Sequence, residues 1–280
     1  MAWLDRQAKE SPGQPFFLYL APSAPHEPAL WSTVPEFVKG TSAAGPRGDL
    51  VALVDWMVGQ VVEALDRHGQ GDGTLVLVTS DNGALPGHSA SMDGRGPWDT
   101  FGHKSCGDWR GYKSHIWEGG HREPLIARWP GRIAPGTVCA EPVELTDLMA
   151  TVAALLGTAL PAAAGEDSYD ILPALLGHAL DAPIREALVH HSVFSVFSIR
   201  QGRWKLIVGT ETSGGWPPPR GEGPQPGARG QLYDLAADPA EARNLWGGRP
   251  DVVARLTALL DRYRASGRSA SRPRTASPSE

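Results

Sequence analysis

Cysteine is nearly absent from the 280 residues, and the two present, Cys106 and Cys139, have no neighbouring Cys at zinc-ligand spacing. That excludes a disulfide framework and a cysteine-based zinc site, leaving two thiols or one optional bridge. No apolar run approaches the roughly 20 residues of a membrane-spanning helix. The longest runs, such as Phe16 to Ala21 and Leu75 to Val78, are strand-sized. The opening Met1-Ala-Trp-Leu-Asp-Arg-Gln-Ala-Lys-Glu has helical composition but neither the apolar core nor the small-residue cleavage site of a signal peptide, and the compartment stays open. Surplus basic charge is missing as well. A net charge of -5 and a pI near 6.0 give no general cationic surface for nucleic acid or an anionic membrane. An anionic small substrate would need a local positive site. Nothing in the chain reports an oligomeric state.

What is there supports a globule. A hydrophobic content of 41% over this length allows one large domain or two ordinary ones. Residues 2 to 10 read as helix and Phe16-Phe-Leu-Tyr-Leu as a buried strand. The spacing Leu50, Leu53, Val54, Met57, Val61, Leu65 predicts a helix over 49–68, stopped by Gly69. Thr74-Leu-Val-Leu-Val-Thr follows as a strand. The order strand, helix, strand predicts an α/β domain with a mixed, largely parallel sheet. A surface loop over 84–108, a strand at Pro124 to Trp129 and an amphipathic helix from Glu144 to Leu156 complete a first domain over 1–183. Clustered strands at Ala187 to His191, Phe194 to Arg200, Trp204 to Val208 and Gln231 to Leu235, with a final helix through Val252 to Tyr263, predict a small antiparallel subdomain over 184–265. The Ser/Arg/Pro tail, 266–280, is expected to be disordered.

Three segments carry chemistry. In Thr79-Ser-Asp-Asn-Gly, Asp81 and Asn82 place two hard oxygen donors where a strand ends in a glycine turn, the position at which α/β sheets bind ligands. Such donors suit calcium or magnesium, while the same tripeptide alone is also an ordinary tight turn. In Ala21-Pro-Ser-Ala-Pro-His-Glu-Pro, prolines stiffen a loop around His26, which could hydrogen-bond an anionic oxygen or protonate a leaving alkoxide. Its bland alternative is a solvent-facing histidine. In Trp109-Arg-Gly-Tyr-Lys-Ser-His-Ile-Trp-Glu-Gly-Gly-His-Arg-Glu-Pro, Lys113 could set a point charge against a sulfate or phosphate oxygen, with the aromatics, His121 and Arg122 read as packing and loop support.

Together these segments resemble the sulfatase family of the alkaline-phosphatase-like superfamily. The resemblance continues in order through Leu125-Ile-Ala-Arg-Trp-Pro-Gly, Glu144-Leu-Thr-Asp-Leu-Met-Ala-Thr, Ser198-Ile-Arg-Gln-Gly-Arg-Trp-Lys-Leu-Ile and Leu232-Tyr-Asp-Leu-Ala-Ala-Asp-Pro. It implies the C-terminal part of an α/β sulfatase sandwich followed by a small antiparallel-sheet subdomain. It further implies metal-dependent hydrolysis of sulfate esters, with Asp81 and Asn82 as calcium ligands (magnesium as the alternative ion), His26 serving the sulfate or the leaving group, and Lys113 binding the sulfate and bridging oxygens. Sulfatases use a formylglycine made from a C/S-x-P-S-R motif, and no such motif occurs here. Cys106 is followed by Gly-Asp-Trp-Arg, Cys139 by Ala-Glu-Pro-Val, and Ser271-Arg-Pro-Arg does not fit. The early paired aspartates are likewise not seen. The expectation is therefore a fragment of the catalytic domain that is inactive by itself. The rival readings are a phosphate or phosphonate ester hydrolase of the same superfamily, which shares the metal and the cations, and a catalytically dead binding protein that keeps the fold.

Overall fold

The structure is a computed structural model that describes residues 1–26, 32–85, 101–215 and 229–270. Its residue contacts divide the chain into two units, Met1–Asp108 with Glu123–Arg132, and Trp109–Arg122 with Ile133–Glu280.

In the first unit, helix α1 (Ala2–Glu10) lays Leu4 against Ala64 and Leu65 of helix α2 (Gly45–Arg67), with Phe16, Val61 and Val76 packed around them. Helix α2 begins four residues ahead of the expected start because Pro46 occupies its first turn, where the fixed φ suits a helix and the missing N–H has no partner to lose. Asp49 is fully buried inside that turn. Its carboxylate accepts from the backbone N–H of Gly40 at 2.7 Å and of Ser42 at 2.8 Å, which clamps the preceding loop onto the helix. Val34, Val38, Leu50 and Leu53 form the core beneath it.

Strand β1 (Val76–Thr79) pairs antiparallel with β2 (Leu125–Arg128), in the register Val76↔Arg128 to Thr79↔Leu125. All four ladders among the described residues are antiparallel, so the parallel pairing expected for the sheet is not among them. The reason lies in Phe16 to Leu20. That run is not a buried strand here, and Phe17 and Tyr19 are 78% and 81% exposed. A short apolar run shows only that its residues favour burial; it names no strand partner. The strand, helix, strand inference loses its first member.

The second unit centres on a meander of strands β3 (Leu188–His191), β4 (Phe197–Gln201), β5 (Trp204–Val208) and β6 (Gly230–Asp234), each antiparallel to the next. Strand β4 starts three residues later than expected because the chain turns at Ser195, whose φ is 60°. Alternation along the strands divides the sheet into two faces. Ile199, Leu206 and Leu232 point to one face and pack under Val252, Leu256, Leu259 and Leu260 of the last helix. Ile207 and Tyr233 point the other way, to Ile116, Val196 and Trp117.

Helices α3 (Asp147–Leu155) and α4 (Leu172–Leu175) lie between the units' strands in sequence, and helix α5 (Pro250–Ser266) closes the sheet. Helix α3 is fixed by a buried charge cluster. Arg185 bonds both Glu144 and Asp147, and Asp147 also accepts from the backbone N–H of Tyr169 at 3.0 Å and of Glu144 at 2.7 Å. Burial pushes the Glu144 carboxyl up to about 7 despite the arginine. Cys106 and Cys139 form no disulfide. No helix among the described residues is long and apolar enough to cross a membrane.

Two half-buried histidines, His190 of β3 and His121, stack with ring centroids 4.0 Å apart, their Nε2 atoms buried. They hydrogen-bond the backbone of Ile116 and His115 respectively. Burial, reinforced by Lys205, pulls His121 down to about 3 and takes His190 well below the ordinary histidine value.

Leu256 is fully buried at the centre of the interface between α5 and the sheet. Leu256→Ala is expected to lower stability by about 2–5 kcal/mol, read as the shift of a urea unfolding midpoint; a loss under ~1 kcal/mol would show that α5 is not part of the core. The histidine pair gives a second expectation. Its folded-state values lie below the unfolded value, so it has no effect at high pH, and stability is lost as the pH falls through the unfolded value near ~6.5. Glu123 and Glu144, both raised to about 7, act in the opposite sense, so the net profile would hide the effect. Ring proton resonances resolve it: His121 and His190 should stay in the neutral form down to about pH 5, and a midpoint near ~6.5 for either ring would overturn their burial.

Candidate functional site

Asp81 and Asn82 sit where β1 ends. The chain bends at Ser80–Asn82, with Ser80 Oγ donating to the Asn82 carbonyl at 3.4 Å, and Gly83 is buried immediately after. Asp81 is exposed and Asn82 half-buried. The register that pairs Thr79 with Leu125 brings Glu123, two residues ahead of β2, alongside this turn. Burial pushes the Glu123 carboxyl up to about 7, and the negative charge of Asp81 adds to that while Arg47 opposes it. Glu123 Oε1 is buried with no hydrogen-bond partner. Cys106 shares this corner: burial raises its thiol, with Glu123 and Arg47 acting on it in opposite senses.

The corner suits a hard cation in donor chemistry. It offers a carboxylate and an amide oxygen at a strand exit, beside a second carboxyl with one buried oxygen that accepts no hydrogen bond among the described residues. It is a partial set, since no group of three or more His, Cys, Asp or Glu among the described residues could hold a metal. His26 belongs to the same unit and ends a tight turn, its backbone N–H donating to the Ser23 carbonyl at 2.9 Å. The His26 side chain is exposed. The Glu27-Pro28 that follows lies outside the described residues, as do 86–100 of the expected surface loop.

Lys113 belongs to the second unit and is half-buried at the head of an irregular loop. What fixes that loop is its tail. The Ile116 N–H donates to the Ser213 carbonyl at 2.8 Å, the Ser114 carbonyl accepts from Val193 at 3.1 Å, and Gly119 donates to the Arg110 carbonyl at 2.7 Å. Trp117 Nε1 donates to Gln231 Oε1 at 2.9 Å, and the Arg110 guanidinium lies 3.6 Å from the Trp117 ring centroid. Gly119 and Gly120 are glycine for a steric reason. A Cβ on either would overlap a backbone carbonyl, that of Gly111 or that of His115.

Beneath the loop lies a buried charge cluster. Glu118 has almost no exposed surface and occupies a single 3-10 turn, Glu118–Gly120. Its backbone N–H donates to Glu241 Oε2 at 2.6 Å. Its carboxylate accepts from Lys205 Nζ at 3.0 Å, and from Arg122 and Arg200 at 3.4 Å each. Lys205 Nζ also stands 3.0 Å from Glu241 Oε1, an ion pair by distance without the alignment of a hydrogen bond. Burial would raise the Glu118 carboxyl, but Lys205 and the two arginines outweigh it and hold it below the usual range. Glu241 has only Lys205 and the Glu118 N–H against its burial, and it is raised.

The expected residues are thus distributed. Asp81, Asn82 and His26 lie in the first unit and Lys113 in the second. Sequence reasoning passed over Glu118, Glu123, Lys205 and Glu241. Glu118 had a local signal in the two glycines after it, and Lys205 had one in standing as the sole charge inside the strand Trp204-Lys-Leu-Ile-Val. Nothing local marks Glu241.

The family model described as Sulfatase matches residues 1–158. The N-acetylgalactosamine-6-O-sulfatase of Bacteroides thetaiotaomicron is 35% identical over 253 residues, covering 89% of this chain and 47% of that protein. The steryl-sulfatase of Mus musculus is 34% identical over 275 residues, covering 91% of this chain and 41% of that protein. A solved structure from work on the metabolism of multiple glycosaminoglycans by Bacteroides thetaiotaomicron superposes with a TM-score of 0.77 at 30% identity, over 94% of this chain and 53% of that one. The chain spans about half the length of the relatives it matches. With a family model over more than half its residues and a sulfatase-like α/β fold along nearly all of them, the chain belongs to the sulfatase family.

Proposed function

We propose that the protein hydrolyses sulfate esters, with a sulfated carbohydrate as the substrate class. The observation that carries the reading is the family match over residues 1–158, within which Asp81, Asn82, His26 and Lys113 each have the chemistry the reaction needs. The carbohydrate preference rests on the N-acetylgalactosamine-6-O-sulfatase relative, which aligns over 89% of the chain.

In this reading Asp81 and Asn82 hold a calcium ion, or magnesium in its place. When bound, the metal supplies polarisation of a sulfate oxygen, and a formylglycine hydrate supplies the attacking oxygen. The chain's own residues do the rest. The Lys113 ammonium binds a sulfate oxygen and the bridging oxygen, so that negative charge growing on the leaving alkoxide meets a fixed positive charge. His26 hydrogen-bonds the sulfate or gives a proton to the leaving oxygen. The motif that yields formylglycine is not among the 280 residues, so these residues assayed alone are expected to be inactive.

The test uses the protein expressed from its complete reading frame, with 4-nitrophenyl sulfate, 6-sulfated N-acetylgalactosamine and an aryl phosphonate monoester. Turnover of the sulfates, lost on treatment with EDTA and restored by calcium, is the expected result. Preference for the phosphonate would move the protein to the rival ester class, and no turnover of any ester would leave a binding protein. Lys113→Ala is expected to lower kcat/KM about 10²–10³-fold, and His26→Ala about 10²–10⁴-fold, each measured at saturating calcium. An unaltered rate in either variant would remove that residue from the site.

A further inference from the structure

We propose that Lys205, on the C-terminal sheet, is a positioning residue for Lys113, acting through Glu118; this rests on the role given to Lys113 above. Lys205 has no exposed surface. A methionine would fill much the same volume without stripping water from an ammonium, and exchanging a buried ion cluster for apolar groups is often neutral or stabilising. Stability therefore gives no reason for a charge here. Position does.

The single ammonium reaches both Glu118 and Glu241 at 3.0 Å, and Glu241 in turn accepts the Glu118 backbone N–H at 2.6 Å. Glu118 is thereby held at its side chain and its main chain by one contiguous cluster. It lies five residues after Lys113, and the backbone between them is pinned at Ser114 and Ile116. Ser114 has a φ of 79°, a left-handed conformation that a serine adopts only when its surroundings enforce it. The charged groups around Lys205 from other elements are Glu118, Glu241 and, sharing the Glu118 carboxylate, Arg200 and Arg122, with the neutral rings of His121 and His190 nearby. Lys205 thus works as a bolt: removing it leaves Glu241 with no cation and Glu118 tied only by the longer 3.4 Å contacts of Arg122 and Arg200, which loosens the Glu118 turn and lets Lys113 leave its place.

The test is a double-mutant cycle on the protein expressed from its complete reading frame. Lys205→Met is expected to lower kcat for 4-nitrophenyl sulfate about hundredfold, the penalty of a misplacement near 1 Å. In a Lys113→Ala background it should change kcat less than about threefold, because its effect passes through Lys113. A purely structural role would give the same fold-loss in both backgrounds and would overturn the proposal. Deuterium uptake in peptides from 109–122 should speed up in Lys205→Met while uptake over α5 stays as in the wild type; unchanged uptake over 109–122 would also sink it. Should Lys205→Met not fold, Lys205→Met/Glu241→Gln replaces it in the same cycle. That variant removes one charge of each sign and leaves Glu118 paired with Arg200 and Arg122. A wild type inactive on every sulfate ester would refute the proposed function alone, and the exchange comparison would still decide whether Lys205 fixes the loop.

Discussion

A lysine with no exposed surface between two buried carboxylates sets the terms for the second unit. An ammonium removed from water is tolerable only where opposite charge compensates it at short range. Lys205 obtains Glu118 from one segment and Glu241 from another, 87 residues before it in the first case. Strand β5 can occupy its central place in the sheet only when the 109–122 loop is folded over its outer face. The sheet and the loop that bears Lys113 therefore form as one piece, and a disturbance in either is felt in the other.

The same requirement explains the composition of that face. Alternation presents Ser198, Arg200, Lys205, Ile207, Gln231 and Tyr233 on the side away from α5, a polar surface in an otherwise buried place. Apart from the Ser198 hydroxyl, its polar groups find partners in the loop and its surroundings: Arg200 and Lys205 on Glu118, Gln231 on Trp117, Tyr233 on Arg110. Gln231 donates as well, to the carbonyls of Thr210 and Thr212 at 3.1 and 2.8 Å. The family-like blocks around Ser198 to Ile207 and Leu232 to Leu235 are thus structural in their chemistry. They make a bed for a loop.

Legibility in the sequence followed the range of the forces involved. Helices α2 and α5 and the strands of the second sheet were readable because period and turn signals are local; their ends shifted by a few residues where Pro46 and Ser195 imposed their own geometry. The Asp81-Asn82-Gly83 turn was readable for the same reason. The buried strand at Phe16 to Leu20 was not, since its status depends on a partner that composition cannot name. Glu241 was invisible because its role is defined by Lys205 and by the N–H of Glu118, 123 residues away.

That difference in range has a consequence for the chemistry. The proposed metal ligands Asp81 and Asn82, adjacent residues at a strand end, are held by local backbone geometry, and their sensitivity to substitution stays local. The loop that bears Lys113 is held by contacts spanning 79 to 131 residues, counting Ser114 to Val193 and Arg110 to Glu241. Buried ionic contacts of that kind form together or not at all, since each charge left alone destabilises the others. Lys113, in the role proposed for it, should therefore depend cooperatively on Lys205, Gln231 and Glu241, residues that need never touch substrate.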